Sequence, residues 1–148
     1  MNKNTMTVKK TSIFPASREK VFSLLKQLET LQFIASPYAS FTSIDDNKEF
    51  VWQEGMVFKF KFKLFGIIPY GIHTINVIKF DNEIYTNESN THVPIWNHRI
   101  ILKECDDGKT EYTDEVEIGA GWKTPFIYLW AKCFYSHRQK KWIKLLSK

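Results

Sequence analysis

The sequence predicts an α+β domain, an antiparallel sheet covered on its apolar face by one long C-terminal helix. Three observations carry this. In "GMVFKFKFKLFGIIPYG", residues 55 to 71, Met56, Phe58, Phe60, Phe62 and Leu64 alternate with Lys59, Lys61 and Lys63. That is the two-residue period of a strand with one apolar and one charged face. The later strand-like segments are joined by links too short for parallel crossovers. The stretch 124–146 has helical spacing instead, with Ile127, Trp130, Cys133, Phe134, Trp142, Leu145 and Leu146 around a broad apolar face.

The elements follow in order. Residues 6–14, "MTVKKTSIF", form a first strand. In "PASREKVFSLLKQLETL", Ser17 is the N-cap and Val21, Leu24, Leu25 and Leu28 share one stripe. A second short helix through Leu31, Phe33 and Ile34 stops before Pro37, because the residue preceding proline avoids helical geometry. Short strands are expected at 39–44 and 49–53, with "DDNK" turning between them. The alternating segment comes next and is broken at Gly66, Pro69 and Gly71. Strands at 72–80 and 84–90 flank a tight turn at 81–83, and strands at 96–105 and 110–121 flank "DDGK". For the final helix, Thr124 serves as cap and Pro125 as first helical residue. The count is one strand, two short helices, about six further strands and a long helix.

Composition bounds the possibilities. The 148 residues suit a single domain spanning 1–148. Aromatic residues make up 16% of the chain, more than a packed core requires, while 25% charged residues and few glycines exclude disordered and collagen-like classes. No apolar run is long enough to span a membrane, and the N-terminus lacks the apolar centre of a secretory signal, so a cytoplasmic location is expected. Cys105 and Cys133 fit no metal or redox spacing and read as reduced thiols, with a single disulfide as the alternative. The net charge of +5 is concentrated at the end: Lys132, Arg138, Lys140, Lys141, Lys144 and Lys148 occur there without an acid. These read as the solvated face of a helix C-terminus rather than a nucleic-acid surface, since no nucleic-acid motif accompanies them.

Four stretches, "FPASREKVFSLL", "WQEGMVFKFKFKLFGIIPYGIHTI", "WNHRIILKECDDGKTEYTDEVEIGAG" and "YSHRQKKWIKLL", give the chain a resemblance to the START-like (SRPBCC) superfamily. That group includes polyketide cyclases and pollen-allergen-type proteins; this sequence looks like a bacterial-type member. The resemblance implies a helix-grip fold, in which a curved seven-stranded antiparallel sheet wraps around the C-terminal helix and leaves an apolar cavity between them. It does not imply one reaction, because members include lipid carriers, hormone receptors, cyclases, dehydratases and oxygenase domains, and a shared fold does not transfer chemistry. The iron-binding His/His/carboxylate pattern of the oxygenase domains is not found.

Alternation along 110–121 places Tyr112, Asp114, Val116 and Ile118 on the apolar face, and along 96–105 it places Trp96, His98, Ile100 and Leu102 there. Asp114 on that face requires a partner, and His98 is the candidate, although a symmetric hairpin would set His98 opposite residue 117. A His98–Asp114 pair suits general acid–base chemistry, with the carboxylate fixing the imidazole tautomer; a structural polar network is the simpler alternative. His73, His92, His98 and His137 have no metal-ligand spacing, so no metal or cofactor is expected. His92 belongs to a loop placed at a cavity mouth, and Arg99 faces outward.

The expected function is binding of a small apolar, aromatic or lipid-like ligand in the cavity. Phe58, Phe60, Phe62, Trp96, Tyr112, Trp130 and Phe134 are the expected lining, with His98 and Asp114 as orienting polar groups. The alternatives are a cyclase or dehydratase using His98 and Asp114, and an interaction module that meets an acidic partner through Lys140 and Lys141. Neither nucleic acid nor a membrane span is expected, and oligomeric state is left open.

Overall fold

The computed structural model describes residues 5–44, 52–81 and 83–147. In chain order these form β1 (Met6–Phe14), α1 (Arg18–Leu25), α2 (Leu28–Ala35), β2 (Ala39–Ser43), β3 (Val57–Leu64), β4 (Ile68–Phe80), β5 (Glu83–Asn90), β6 (Ile95–Glu104), β7 (Thr110–Gly119) and α3 (Thr124–Leu146). The strands make one seven-stranded sheet in the order β1-β7-β6-β5-β4-β3-β2, with every pairing antiparallel. The first strand therefore closes against the last, and α1 and α2 carry the chain from one sheet edge to the other. This is the predicted fold class.

Ser17 caps α1 as expected, its hydroxyl accepting from the Lys20 N–H at 3.2 Å. The alternation in β3 is realised: Phe58 and Phe60 are buried and Lys59, Lys61 and Lys63 exposed. The expected strand at 49–53 lies mostly outside the described residues, and Trp52 and Gln53 are not in a strand.

The punctuation at 66–71 does something other than break the sheet. A turn at residues 65–67 returns the chain at once, and β4 begins at Ile68, four residues earlier than expected. Pairing jumps from Lys61↔Ile72 to Lys63↔Pro69, so β4 carries an extra residue there, with Gly71 at φ +83°. A second irregularity lies at Val77/Lys79. Bulges bend a strand and increase its twist, so these two curve β4 and cup the sheet.

Helix α3 runs 23 residues, and its buried side comprises Ala131, Phe134, Tyr135, Gln139, Trp142 and Leu146. Two expectations for it need correction. Cys133 is exposed, because one helical residue away from Phe134 is a rotation of about 100° off the buried stripe. Thr124 is itself the first helical residue; its hydroxyl accepts from the Ala120 N–H (2.9 Å) and donates to the Gly121 carbonyl (2.7 Å), bracing the preceding turn instead of capping a helical N–H. Cys105 and Cys133 are both free thiols.

The helix packs closest on β1 and β7. Toward its C-terminal end Trp142 closes on Phe14 and Tyr112, at ring separations of 5.6 and 5.8 Å, and with α1 and α2 this forms a solid cluster. Toward its N-terminal end Ile127, Trp130 and Phe134 of the helix share an open space with residues of β3, β4 and β5. Among the described residues, no helix is long and apolar enough to cross a membrane.

Candidate functional site

Between α3 and the cupped sheet lies a cavity of about 270 Å³. Phe60 and Phe62 of β3, Trp96 and His98 of β6, and Trp130 and Phe134 of α3 face it. These six were all expected on its wall. Three others are not there. Phe58 is not itself on the lining and packs on Trp52 and Phe60, which are, at ring separations of 4.9 and 6.4 Å. Tyr112 stacks on Phe14 at 4.5 Å in the solid end of the core. Asp114 is fully buried beneath His98 and α3, reaching the cavity only through the imidazole. All three point to the predicted face of the sheet, but Tyr112 and Asp114 are covered by α3 and Phe58 by Trp52, which alternation alone does not reveal.

The polar part of the cavity wall is built from consecutive strands. His98 pairs in register with Val116, not residue 117, so it shares a face with Asp114 two residues along. His98 Nε2 and Asp114 Oδ1 are 2.7 Å apart. The Tyr112 hydroxyl donates to the same oxygen at 3.3 Å, and Gln139 Nε2 of α3 donates to Oδ2 at 3.0 Å. Gln139 also donates to the Lys10 carbonyl (2.8 Å) and accepts from Ser12 (2.5 Å), which ties the helix to β1. Burial works against ionisation of Asp114, but the His98 hydrogen bond and charge, the Arg138 charge and the Gln139 bond outweigh it and hold the carboxyl below its ordinary range. Asp114 is therefore ionised at neutral pH, and Nε2 carries the shared proton.

A second acid–imidazole pair continues the chain. Glu88 of β5 meets His73 of β4 at 2.6 Å, accepts from the Thr86 hydroxyl at 2.6 Å, and lies 3.8 Å from His98 Nδ1. Burial opposes its charge too, yet His73, His98 and Thr86 hold it below the usual carboxylate range. His73, Glu88, His98 and Asp114 thus form a diagonal chain across four strands. Tyr135 covers it from α3, its hydroxyl accepting from Trp96 Nε1 at 3.2 Å and its ring 5.1 Å from that of His98. Among the described residues, no three metal-ligating side chains converge.

Sequence reasoning nominated neither Glu88 nor Thr86. The signal was available: once Ile84 is placed inward, period two also brings Thr86 and Glu88 inward in "IYTNESN". Arg138 was read as part of a solvated basic face; it is instead half-buried and lines the cavity. Lys140 and Lys144 are exposed, while Lys141 sits 4.0 Å above the Phe33 ring. Arg99 does face outward, paired with Glu83 and lying over Tyr85.

The mouth involves Tyr70, whose ring lies 4.4 Å from that of His92 in the loop between β5 and β6. Phe126 lines the cavity from α3 while remaining 67% exposed, so it stands at the boundary with solvent.

Comparison with known proteins agrees with this architecture. A crystal structure of a protein from Chromobacterium violaceum superposes with a TM-score of 0.74 at 14% identity, covering 96% of this chain and 97% of that one. A START superfamily protein from Mycobacterium smegmatis gives 0.71 at 14% identity, covering 95% and 97%. The Zhui aromatase/cyclase from a Streptomyces species gives 0.64 at 9% identity, covering 97% and 92%. At such identities the likeness establishes a shared fold, START-like and helix-grip, and nothing about reaction. No curated protein matches the sequence. One family profile does, over residues 12–145, and on that match the chain belongs to the family described as a domain of unknown function, DUF8410.

Proposed function

We propose that this protein binds a small apolar or aromatic, lipid-like molecule in the cavity between the sheet and α3. The observation that carries the reading is the cavity itself: about 270 Å³ of space walled mainly by aromatic and aliphatic side chains, with a few polar groups set among them. Tightly packed interiors leave few voids larger than a water, and ligand sites are concave, mostly apolar and supplied with a few placed polar groups. Burying ~200 Å² of apolar guest surface would contribute on the order of 5 kcal/mol before association costs.

A second reading, an acid–base enzyme of the cyclase or dehydratase kind, is favoured by one observation: His98 lies on the cavity wall with Nε2 fixed by Asp114 at 2.7 Å. Nδ1 would then be the basic nitrogen. It would take a proton from the carbon beside a guest carbonyl and return it to a departing hydroxyl, releasing water.

Two variants separate these readings. Phe60→Trp adds bulk at a wall residue that is 1% exposed, so it should weaken uptake of an apolar fluorescent probe at least tenfold if the cavity is the binding site. His98→Ala should leave probe uptake in place and abolish turnover of a polyketide-like substrate if the site is catalytic. Unchanged probe binding in Phe60→Trp would remove the support for the cavity. Mass spectrometry under native conditions, on protein from its own host, would show whether a small molecule accompanies it.

A further inference from the structure

Resting on that reading, we infer that the guest is an apolar acid and that Arg138 holds its carboxylate. Arg138 projects from α3 onto the cavity wall, and its Nε, sealed from solvent, has no hydrogen-bond partner among the described residues. A buried donor left without an acceptor is costly, and native structures rarely keep one. The acids nearby do not supply that acceptor: among the described residues, no carboxylate lies within 4.0 Å of the guanidinium. Asp114 is engaged by His98, Tyr112 and Gln139, and Glu88 by His73 and Thr86.

The guanidinium is also held in place. Its central carbon lies 5.1 Å from the centre of the Tyr135 ring and 5.8 Å from that of Phe134. A cation held over aromatic rings gains attraction from them without using a hydrogen-bond acceptor, so these contacts do not satisfy Nε. Nε together with a neighbouring terminal nitrogen makes the fork that grips both oxygens of a carboxylate. The remaining wall, from Phe60 and Phe62 to Trp130 and Phe134, suits the apolar body of such a molecule. A second unpartnered buried donor, Trp130 Nε1, lies on the same wall eight residues earlier in α3, about 12 Å along the axis. It offers a place for another oxygen near the far end of the guest.

The test compares naphthoate with its neutral amide, naphthamide, and with methylnaphthalene, titrated by fluorescence and calorimetry. The wild-type protein should bind the acid about tenfold or more tightly than either neutral probe, the weight of one charge-assisted bidentate contact. Arg138→Met should erase that preference, bringing the acid and amide affinities level, and Arg138→Lys should restore part of it. Equal affinity for the acid and the amide in the wild-type protein, a comparison that needs no variant, overturns the inference, as does a preference that survives Arg138→Met. If methylnaphthalene binds and naphthoate gains nothing, the cavity reading stands without the acid; if neither binds, both fall.

Discussion

Asp114→Asn probes the joint between sheet, helix and cavity with the removal of one charge and almost no change of shape. Three donors converge on this carboxylate: His98 Nε2 at 2.7 Å, Gln139 Nε2 at 3.0 Å and the Tyr112 hydroxyl at 3.3 Å. An asparagine supplies one acceptor oxygen and one donor NH2. Turned one way, its NH2 faces that of Gln139; turned the other, it faces His98 Nε2, and the imidazole must give up the charged pair and move its proton to Nδ1, 3.8 Å from Glu88. Gln139 cannot flip to compensate without surrendering its bonds to Lys10 and Ser12. One unpaired buried donor costs about 1–3 kcal/mol, and disruption of a buried charged pair about 3–5 kcal/mol. The site is fully enclosed, so a loss of about 3 kcal/mol is expected, measured by urea denaturation followed through tryptophan fluorescence with an unchanged m-value. The acid limb gives an independent check. Asp114 is held below its ordinary range in the folded protein, so the unfolded chain binds the proton more readily. Its contribution is present above the unfolded pKa of about 3.9 and is lost as pH falls through the lower folded value. The gap between wild type and variant should therefore narrow below about pH 4. A loss under about 1 kcal/mol, or a gap that widens on acidification, would refute the network as described.

Two further outcomes follow from single contacts. Tyr135→Phe removes the acceptor for the buried Trp96 N–H, and should lower stability by about 1–2 kcal/mol, read as a fall of a few degrees in Tm; an unchanged Tm would mean that the bond carries nothing. Gly119→Ala would bring a Cβ to 2.9 Å from Ile95 Cδ1 and 3.2 Å from Thr5 Cγ2, where β7 is flanked by neighbours on both sides. A cost of about 1–3 kcal/mol in chemical denaturation is expected, and a neutral result would show that the β6 side chain relaxes freely.

Much of the architecture is written in local pattern. The alternation in β3, the Ser17 cap, the hairpin links and the apolar stripe of α3 are short-range features, and each forms the element it predicts because burying one face and satisfying one cap are decided within a few residues. The same alternation puts His98 and Asp114 on one face. It went wrong where a residue's fate depends on what lies above it. Gly66, Pro69 and Gly71 read as a break, but the pairing of β3 with β4 turns them into a tight turn and a bulge. Arg138 read as one cation in a solvated run, but α3 turns it inward.

The sequence alone determined an antiparallel sheet with one aromatic face, a terminal helix to meet it, and an acid and an imidazole on that face. Only the tertiary structure decided that the helix lies along β1 and β7 while bulges in β4 bend the sheet, so that α3 covers Tyr112 and Asp114, Trp52 covers Phe58, and Phe60, Phe62 and Arg138 face open space. Side-chain period assigns a face to each residue. Whether that face meets another surface depends on curvature accumulated over several strands, which no local window of sequence contains.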